Sequence, residues 1–263
     1  MTIKACRIPL SFDAARLQAD LAQIPATDWI PHFNSQYHDG GWSGAALRAI
    51  GGAHTRLYSD PLADRGAYAD TPLLARCPGF REALAAFKCP LQSVRLLKIA
   101  AGCGIKEHTD YNLGFEDGEI RLHIPVTTNP DVDFYLDGRR LVMIEAECWY
   151  LDFNLPHRVH NRGTTDRIHL VIDCAVDEWI RSLFSSAECA QFDAQDVAWQ
   201  QFRELVLGDC DLQGRLREPV DRETFISLTV QVGREHGFAF SDDEVRAGLR
   251  ASQRLWSERR LAK

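Results

Sequence analysis

Between residues 91 and 177 the chain is a succession of short β-leaning runs. "QSVRLLKIA", "EIRLHIPVTT", "VDFYLDG", "RRLVMIEAE", "CWYLDF" and "DRIHLVIDC" are divided by turn residues, with few helices between them. This feature constrains the fold most. Many short strands in this arrangement argue against a parallel α/β sheet. Asp137-Gly138, between "VDFYL" and "RRLVMI", adds a hairpin signal, because a two-residue type I′ turn needs positive φ at both positions. A sandwich or small barrel is the expected core.

The flanks read differently. "SFDAARLQADLAQI", residues 11–24, has helical apolar spacing with Ser11 as N-cap, and a second helix is expected around residues 78–88, ended by Pro90. Between them "DWIPHFNSQYHDGGWSG" reads as loop and short strand. After residue 177 the strands give way to "DEWIRSLFSSA", "AQDVAWQQFRELVLG", "DRETFISLTVQVGREHG" and "SDDEVRAGLRASQRLWSER", all helical in pattern. Gly237 fits the stop of one helix and Ser241 with Glu244 a capping box at the start of the next. The expected division is 1–177, with its β core at about 91–177, followed by a helical domain over 178–263. Phe225, Leu228, Val232, Phe238 and Phe240 are its expected core.

Composition narrows the class. A net charge of −7 and a pI near 5.7 provide no basic footprint for nucleic acid or an anionic membrane, so neither partner is expected. The start lacks an apolar core and cleavage site, and no run of about 18 apolar residues is available to span a bilayer, so a cytoplasmic protein is expected. Eight cysteines lie scattered without C-x-x-C or zinc-ribbon spacing, which fits free thiols in a reducing compartment.

The polar residues that interrupt this β region suggest chemistry. In "KEHTDYNLGF", His108 and Asp110 are i and i+2, which on extended chain share a face and can reach one ion together. A third ligand must come from His157, His160 or His169. His157 and His160 are an odd number apart, so a strand turns only one of them toward the ion, and His157 directly follows the apolar run "WYLDFNLP". Two imidazoles and a carboxylate form the facial set that leaves positions open on non-haem Fe(II). In "EIRLHIPV" Arg121 and His123 share one face while Ile120, Leu122, Ile124 and Val126 share the other, which suggests a polar cavity inside a barrel, though a sheet with one solvated face gives the same alternation. Arg167, ten residues after His157, could grip a carboxylate with its planar fork.

These residues carry a resemblance. "GCGIKEHTD", "EIRLHIPV", "CWYLDFNLPHRVHNRG" and "DRIHLVIDC" resemble, in order and at suitable intervals, the aspartyl/asparaginyl β-hydroxylase family of Fe(II)- and 2-oxoglutarate-dependent dioxygenases. The upstream "WIPHFNSQYHDGGWSG" is similar to bacterial members, extending the likeness over residues 25–177. The resemblance implies a double-stranded β-helix (jelly-roll, cupin-like) core. It places metal ligands, the catalytic set, at His108, Asp110 and His157. It also implies co-substrate contacts at Arg167, His123 and Arg121, with Fe(II), 2-oxoglutarate and O2 consumed to yield succinate, CO2 and a hydroxylated product. Some animal relatives have glycine where Asp110 stands; this chain keeps the carboxylate. The position of His160 is tryptophan in some relatives, which favours His157.

An amino acid or a peptidyl residue is the expected substrate. His32, Asn34, Trp42 and Ser43 are candidates to close over it, and Arg158 or Asp152 could meet its charged groups. His169 is expected to border the co-substrate or to be a buried structural residue, and Trp149 to be core. Residues 198–256 weakly resemble the nitrogen-fixation-related leader-peptide domain, which implies peptide binding or self-association through the C-terminal helices. Two other readings stay open: a cupin-like metal-dependent isomerase or lyase, and a barrel that has lost catalysis and binds peptides.

Overall fold

The computed structural model describes residues 3–185 and 198–249, apart from residues 39, 56, 58–65, 138, 200, 204, 243, 247 and 248. The chain forms two compact units, Met1–Cys189 and Ala190–Lys263.

In the first unit the strands are β1 (Ala5–Ser11), β2 (Ile30–Pro31), β3 (Trp42–Ile50), β4 (Tyr68–Asp70), β5 (Leu91–Ile99), β6 (Gly104–His108), β7 (Glu119–Thr127), β8 (Val132–Leu136), β9 (Arg139–Leu141), β10 (Glu147–Leu151), β11 (His157–Asn161) and β12 (Arg167–Ala175). The larger sheet runs β1-β10-β7-β12-β5-β3-β2, with β4 paired to β3, and the smaller runs β6-β11-β8-β9. From β5 to β12 the chain steps back and forth between the two sheets, and every pairing is antiparallel. That is a double-stranded β-helix, with β1 and β2–β4 widening one sheet.

Alternation along the strands explains why the layers stack this way. On β7 Ile120, Leu122, Ile124 and Val126 point to one side, where they join Leu170, Ile172 and Cys174 of β12 and Val94 and Leu96 of β5. Against this apolar face pack α1 (Ala14–Leu21), α2 (Pro72–Ala75), α3 (Pro78–Ala85) and α4 (Glu178–Phe184), through Leu17, Leu74, Phe80, Ile180 and Phe184 among others. Each fully buried aliphatic here contributes about 1.5–3 kcal/mol relative to exposure. The opposite side of the same strands faces the smaller sheet and carries the polar residues.

Several local expectations change. Ser11 ends β1, and the helix starts later because Asp13, the better-placed cap, accepts from Arg16 N at 3.1 Å. α3 stops at Ala85, ahead of the expected 88. β9 ends at Leu141, leaving Val142 and Ile144 exposed. In the expected β8–β9 turn Asp137 has φ 49°, and Gly138 lies outside the described residues. Positive φ at Gly40 and Gly41 swings the chain from the loop into β3; at Gly41 a Cβ would meet Cys103 Sγ at 2.5 Å. α4 packs into the first core, so the contact boundary falls after residue 189 rather than at 178. Cys77, Cys89, Cys103, Cys148, Cys174 and Cys210 are free. Cys6 is disulfide-bonded, correcting the expectation of a free thiol there.

The second unit is helical where described, with helical backbone at 198–199, 201–203 and 205–208, then α5 (Cys210–Arg215) and α6 (Arg222–Glu235). Phe202, Leu212, Ile226, Val232, Phe240 and Val245 form its core, with Phe225, Leu228 and Phe238 packed at its edge. α6 closes at Gly237 (φ 83°), and Ser241 and Glu244 exchange the capping-box bonds. The expected continuation through residue 256 lies outside the described residues. Among the described residues no helix is long and apolar enough to cross a membrane.

Candidate metal centre

β6 and β11 are neighbours in the smaller sheet, and their register sets His157 opposite His108. Directly paired residues project to the same face, so both imidazoles turn inward, with ring centroids 4.2 Å apart. Asp110 lies just past the end of β6, held by its own N–H donating to Phe153 O at 2.9 Å. One ligand atom from each of His108, Asp110 and His157 lies within 4.8 Å of the others.

The backbone also sets the tautomers. His108 Nδ1 lies 2.9 Å from Lys106 O and His157 Nδ1 lies 3.0 Å from Leu155 O. A carbonyl only accepts, so both Nδ1 atoms carry the proton and both Nε2 lone pairs are left for an ion. His108 Nε2 sits 3.9 Å from Asp110 Oδ1. Burial, and then the neighbouring His108, push His157 down to about 4, so it is neutral, as a metal ligand must be. Two imidazoles and one carboxylate are a donor set that suits Fe(II).

The larger sheet contributes cations from its inner face. Arg121 reaches Asp110 Oδ2 through Nη1 at 2.5 Å and grips Asp173 of β12 through Nε at 2.6 Å and Nη2 at 3.0 Å. Arg95 of β5, wholly buried, donates to the same Asp173 at 2.8 Å. Burial alone would raise the Asp173 carboxyl, but the two guanidiniums outweigh it and hold it well below the usual carboxylate range. Arg121 therefore binds two acids, one of them a metal-ligand candidate. Neither Arg95 nor Asp173 was singled out from the sequence. Asp173 shares inner-face parity with Arg167, and Arg95 is the charged residue inside the "VRLL" run; those were the available signals.

Arg167 has a different environment. It is 3% exposed, its Nη2 donates to His169 Nδ1 at 2.9 Å, and its guanidinium stands 5.9 Å from the Phe134 ring. Among the described residues it has no acid partner, and its Nε has no hydrogen bond. Burial lowers it to about 9. His169, accepting from Arg167, also faces His123 Nδ1 at 3.3 Å, and His123 Nε2 is buried without a partner among the described residues. Burial first, and Arg167 next, hold both histidines neutral. An inward cation with no counter-ion among the described residues fits an incoming carboxylate.

The N-terminal loop supplies one wall. His32 stacks on Trp42 with centroids 3.3 Å apart, and burial followed by the nearby His38 pushes it down to about 3. Tyr37, unremarked in the sequence, stacks on His108 at 5.0 Å. Trp42 is level with Ile99, which is level with Arg167, so all three share the inner face; among the described residues the buried Trp42 Nε1 has no partner. Asn34 serves the loop itself, donating from its backbone N–H to His32 Nδ1 at 3.2 Å. Ser43 follows Trp42 and points to the other side.

Arg158 is a correction. Next to His157 on a strand, it projects from the opposite face, where it pairs with Glu107 at 2.7 Å and lies 4.1 Å from the Tyr135 ring. His160 lies on that outer side too. Asp152 is buried in a turn, accepting from Asn154 N at 3.1 Å, and Trp149 is core, donating to Glu147 Oε2 at 2.9 Å.

Residues 12–176 match the sequence profile of the family described as Aspartyl/Asparaginyl beta-hydroxylase. The chain belongs to this family. The β-hydroxylase-family segment spans α1 to the end of β12 and includes all three ligand candidates and Arg167. An L-proline cis-4-hydroxylase from Rhizobium meliloti (strain 1021) is 29% identical over 185 residues, which cover 68% of this chain and 63% of that protein. The chain thus spans less than two thirds of that relative's length. Solved structures similar to this member of the family include an oxidoreductase of the 2OG-Fe(II) oxygenase family from Burkholderia pseudomallei. It has 14% identity and a TM-score of 0.39, covering 62% of this chain and 77% of that one. A Pseudomonas putida prolyl-4-hydroxylase has 13% identity and a TM-score of 0.38, covering 62% and 86%. Overlaps this loose carry no weight for the chemistry.

Proposed function

We propose that this protein is an Fe(II)- and 2-oxoglutarate-dependent hydroxylase whose substrate is an amino acid, free or within a peptide. One observation supports this reading above others: the His108, Asp110 and His157 cluster shares an interior with Arg167, a buried cation that has no acid partner among the described residues. A metal-dependent isomerase or lyase would have no use for that second feature.

His108 Nε2, His157 Nε2 and Asp110 Oδ1 would hold the iron. When bound, the iron supplies oxygen activation coupled to oxidative decarboxylation of 2-oxoglutarate to succinate and CO2, with hydroxyl delivered to a substrate C–H. The protein provides placement. Arg167 would take the 5-carboxylate of 2-oxoglutarate, oriented by its bond to His169. Phe134 and Phe153 line the space between the two sheets and keep it dry, which strengthens each charge–charge contact inside. His32 and Trp42, with Tyr37 on His108, would wall the substrate side. The cis-4-hydroxylase relative makes a free cyclic amino acid the first substrate to try.

The test incubates metal-freed protein with Fe(II), 2-oxoglutarate, ascorbate and pooled amino acids or peptides, and measures succinate and oxygenated products by mass spectrometry. Succinate formation should vanish in His108→Ala and fall by about a hundredfold or more in Arg167→Ala, which removes a buried charge-assisted contact. Metal-dependent product without succinate would favour the lyase reading. No turnover and no Fe(II) binding would overturn the proposal.

A further inference from the structure

A chain of four charged side chains runs from the metal centre into the larger sheet. Asp110 Oδ2 accepts from Arg121 Nη1, Arg121 Nε and Nη2 grip both oxygens of Asp173, and Asp173 Oδ2 accepts from Arg95 Nη1. Arg95 Nη1 also donates to Ser93 Oγ at 2.8 Å. Two acids and two guanidiniums alternate, so the chain as a whole is neutral. Its far end is the most buried: side-chain exposure falls from 28% at Asp110 through 11% at Arg121 and 8% at Asp173 to 0% at Arg95.

We propose that Asp173 and Arg95 are positioning residues for the metal centre, acting through Arg121 to hold Asp110 in single-oxygen presentation. The proposal rests on the metal-centre reading above. A carboxylate free to rotate can chelate an ion through both oxygens and would fill one of the positions a co-substrate needs. Here Oδ2 is taken by Arg121, while Oδ1 is the oxygen that lies 3.9 Å from His108 Nε2. Arg121 could not do this alone, because a long side chain has several rotamers. The bidentate grip on Asp173, itself fixed by a fully buried arginine, selects one of them. The contacts cross three strands: β5 gives Arg95, β12 Asp173, and β7 Arg121, which reaches Asp110, two residues past the end of β6. The orientation of one ligand is thus tied to the register of the sheet behind it.

The test is a Co(II) titration of the metal-freed full-length protein followed by visible absorption, which reports ligand number and geometry as well as affinity. Arg121→Lys keeps the charge but replaces the planar fork with a single ammonium, and Asp173→Asn removes the anchor. Both should bind Co(II) about tenfold more weakly than wild type, and both should change the shape of the absorption envelope. Apoprotein thermal midpoints are recorded alongside. A purely structural role would lower the midpoint and leave affinity and band shape unchanged in the folded protein. Should Asp173→Asn fail to fold, Arg121→Lys and Arg95→Lys keep every buried charge and decide the matter. Folded variants with wild-type affinity and superimposable spectra would overturn the proposal while leaving the centre intact. A wild type that binds no Co(II) would instead overturn the metal centre itself.

Discussion

The two faces of β7 and β12 belong to the same strands and live in opposite chemistry. Outward, Ile120, Leu122, Ile124, Leu170 and Ile172 meet helices in a continuous apolar layer. Inward, His123, Arg167, His169 and Asp173 are also buried, with the half-buried Arg121 beside them, among ion pairs and imidazoles. Burial alone does not distinguish stability from function; what each buried group lacks does. An outward leucine lacks nothing once packed. An inward arginine without a counter-ion carries a desolvation cost that only a ligand removes. The outer face should therefore hold the fold together, and the inner face should weaken it in exchange for a site.

A matched pair of substitutions tests that division most directly. Leu122→Ala opens a cavity in the outer layer and should cost about 2–5 kcal/mol of unfolding free energy, while Co(II) affinity of the folded protein stays at wild-type level. Arg167→Met replaces an unpaired buried cation with an apolar chain of similar length. It should leave the apoprotein as stable or stabilise it by roughly 1–4 kcal/mol, yet abolish the stabilisation that added 2-oxoglutarate gives the metal-loaded protein. Urea unfolding with and without ligands measures both. If Arg167→Met destabilises as Leu122→Ala does, the two faces do the same job and the contrast fails.

How much of this was legible in the sequence follows from the range of each signal. Two-residue periodicity is local, so the split of β7 into Arg121 and His123 against Ile120, Leu122 and Ile124 could be read directly; Asp110 comes near His108 although the strand ends at His108. The family motifs carried His157 and Arg167. Partnerships across strands were not legible, because they depend on register: nothing in the linear order says that Asp173 lies beside both Arg121 and Arg95. Nor does anything near His108 announce Tyr37, which a distant loop brings onto its ring. Ser11 suits a cap by residue type, whereas β1 keeps it in the sheet and leaves capping to Asp13. The Arg158 assignment had a local warning that type and proximity overrode: it is one residue from His157, and odd spacing on a strand means opposite faces.

Acid titration sharpens the comparison, since the outer layer has little to protonate. His157 is pushed down to about 4, and His123 and His169 are held well below their ordinary value, each chiefly by burial. The unfolded chain takes up these protons near pH 6.5 and the folded chain does not. Between that value and the folded values the unfolded state binds more protons. Stability is therefore fully present above about pH 6.5 and is lost as pH falls toward the folded values, by at most about 1.4 kcal/mol per pH unit for each histidine. Urea midpoints of the metal-free protein should drop between about pH 7 and about pH 5, before most carboxylates titrate. Arg167→Met should soften the drop, because Arg167 is the second cause of the shift at both His123 and His169. A flat profile would mean the inner imidazoles are not isolated from water.

The smallest expected effect lies on the far side of the smaller sheet. β11 presents His157 inward and Arg158 outward, so adjacent residues belong to different worlds in the same sense as the faces of β7. The Arg158–Glu107 pair is well exposed on both sides, and exposed pairs of this kind contribute about 0–1 kcal/mol. The stacking of the guanidinium on Tyr135 adds a comparable amount. Arg158→Ala should shift the thermal midpoint slightly and leave the KM for 2-oxoglutarate and for the hydroxylated substrate unchanged. A severalfold rise in the substrate KM without loss of fold would place a ligand on the outer face, and the assignment of chemistry to the inner face alone would have to be abandoned.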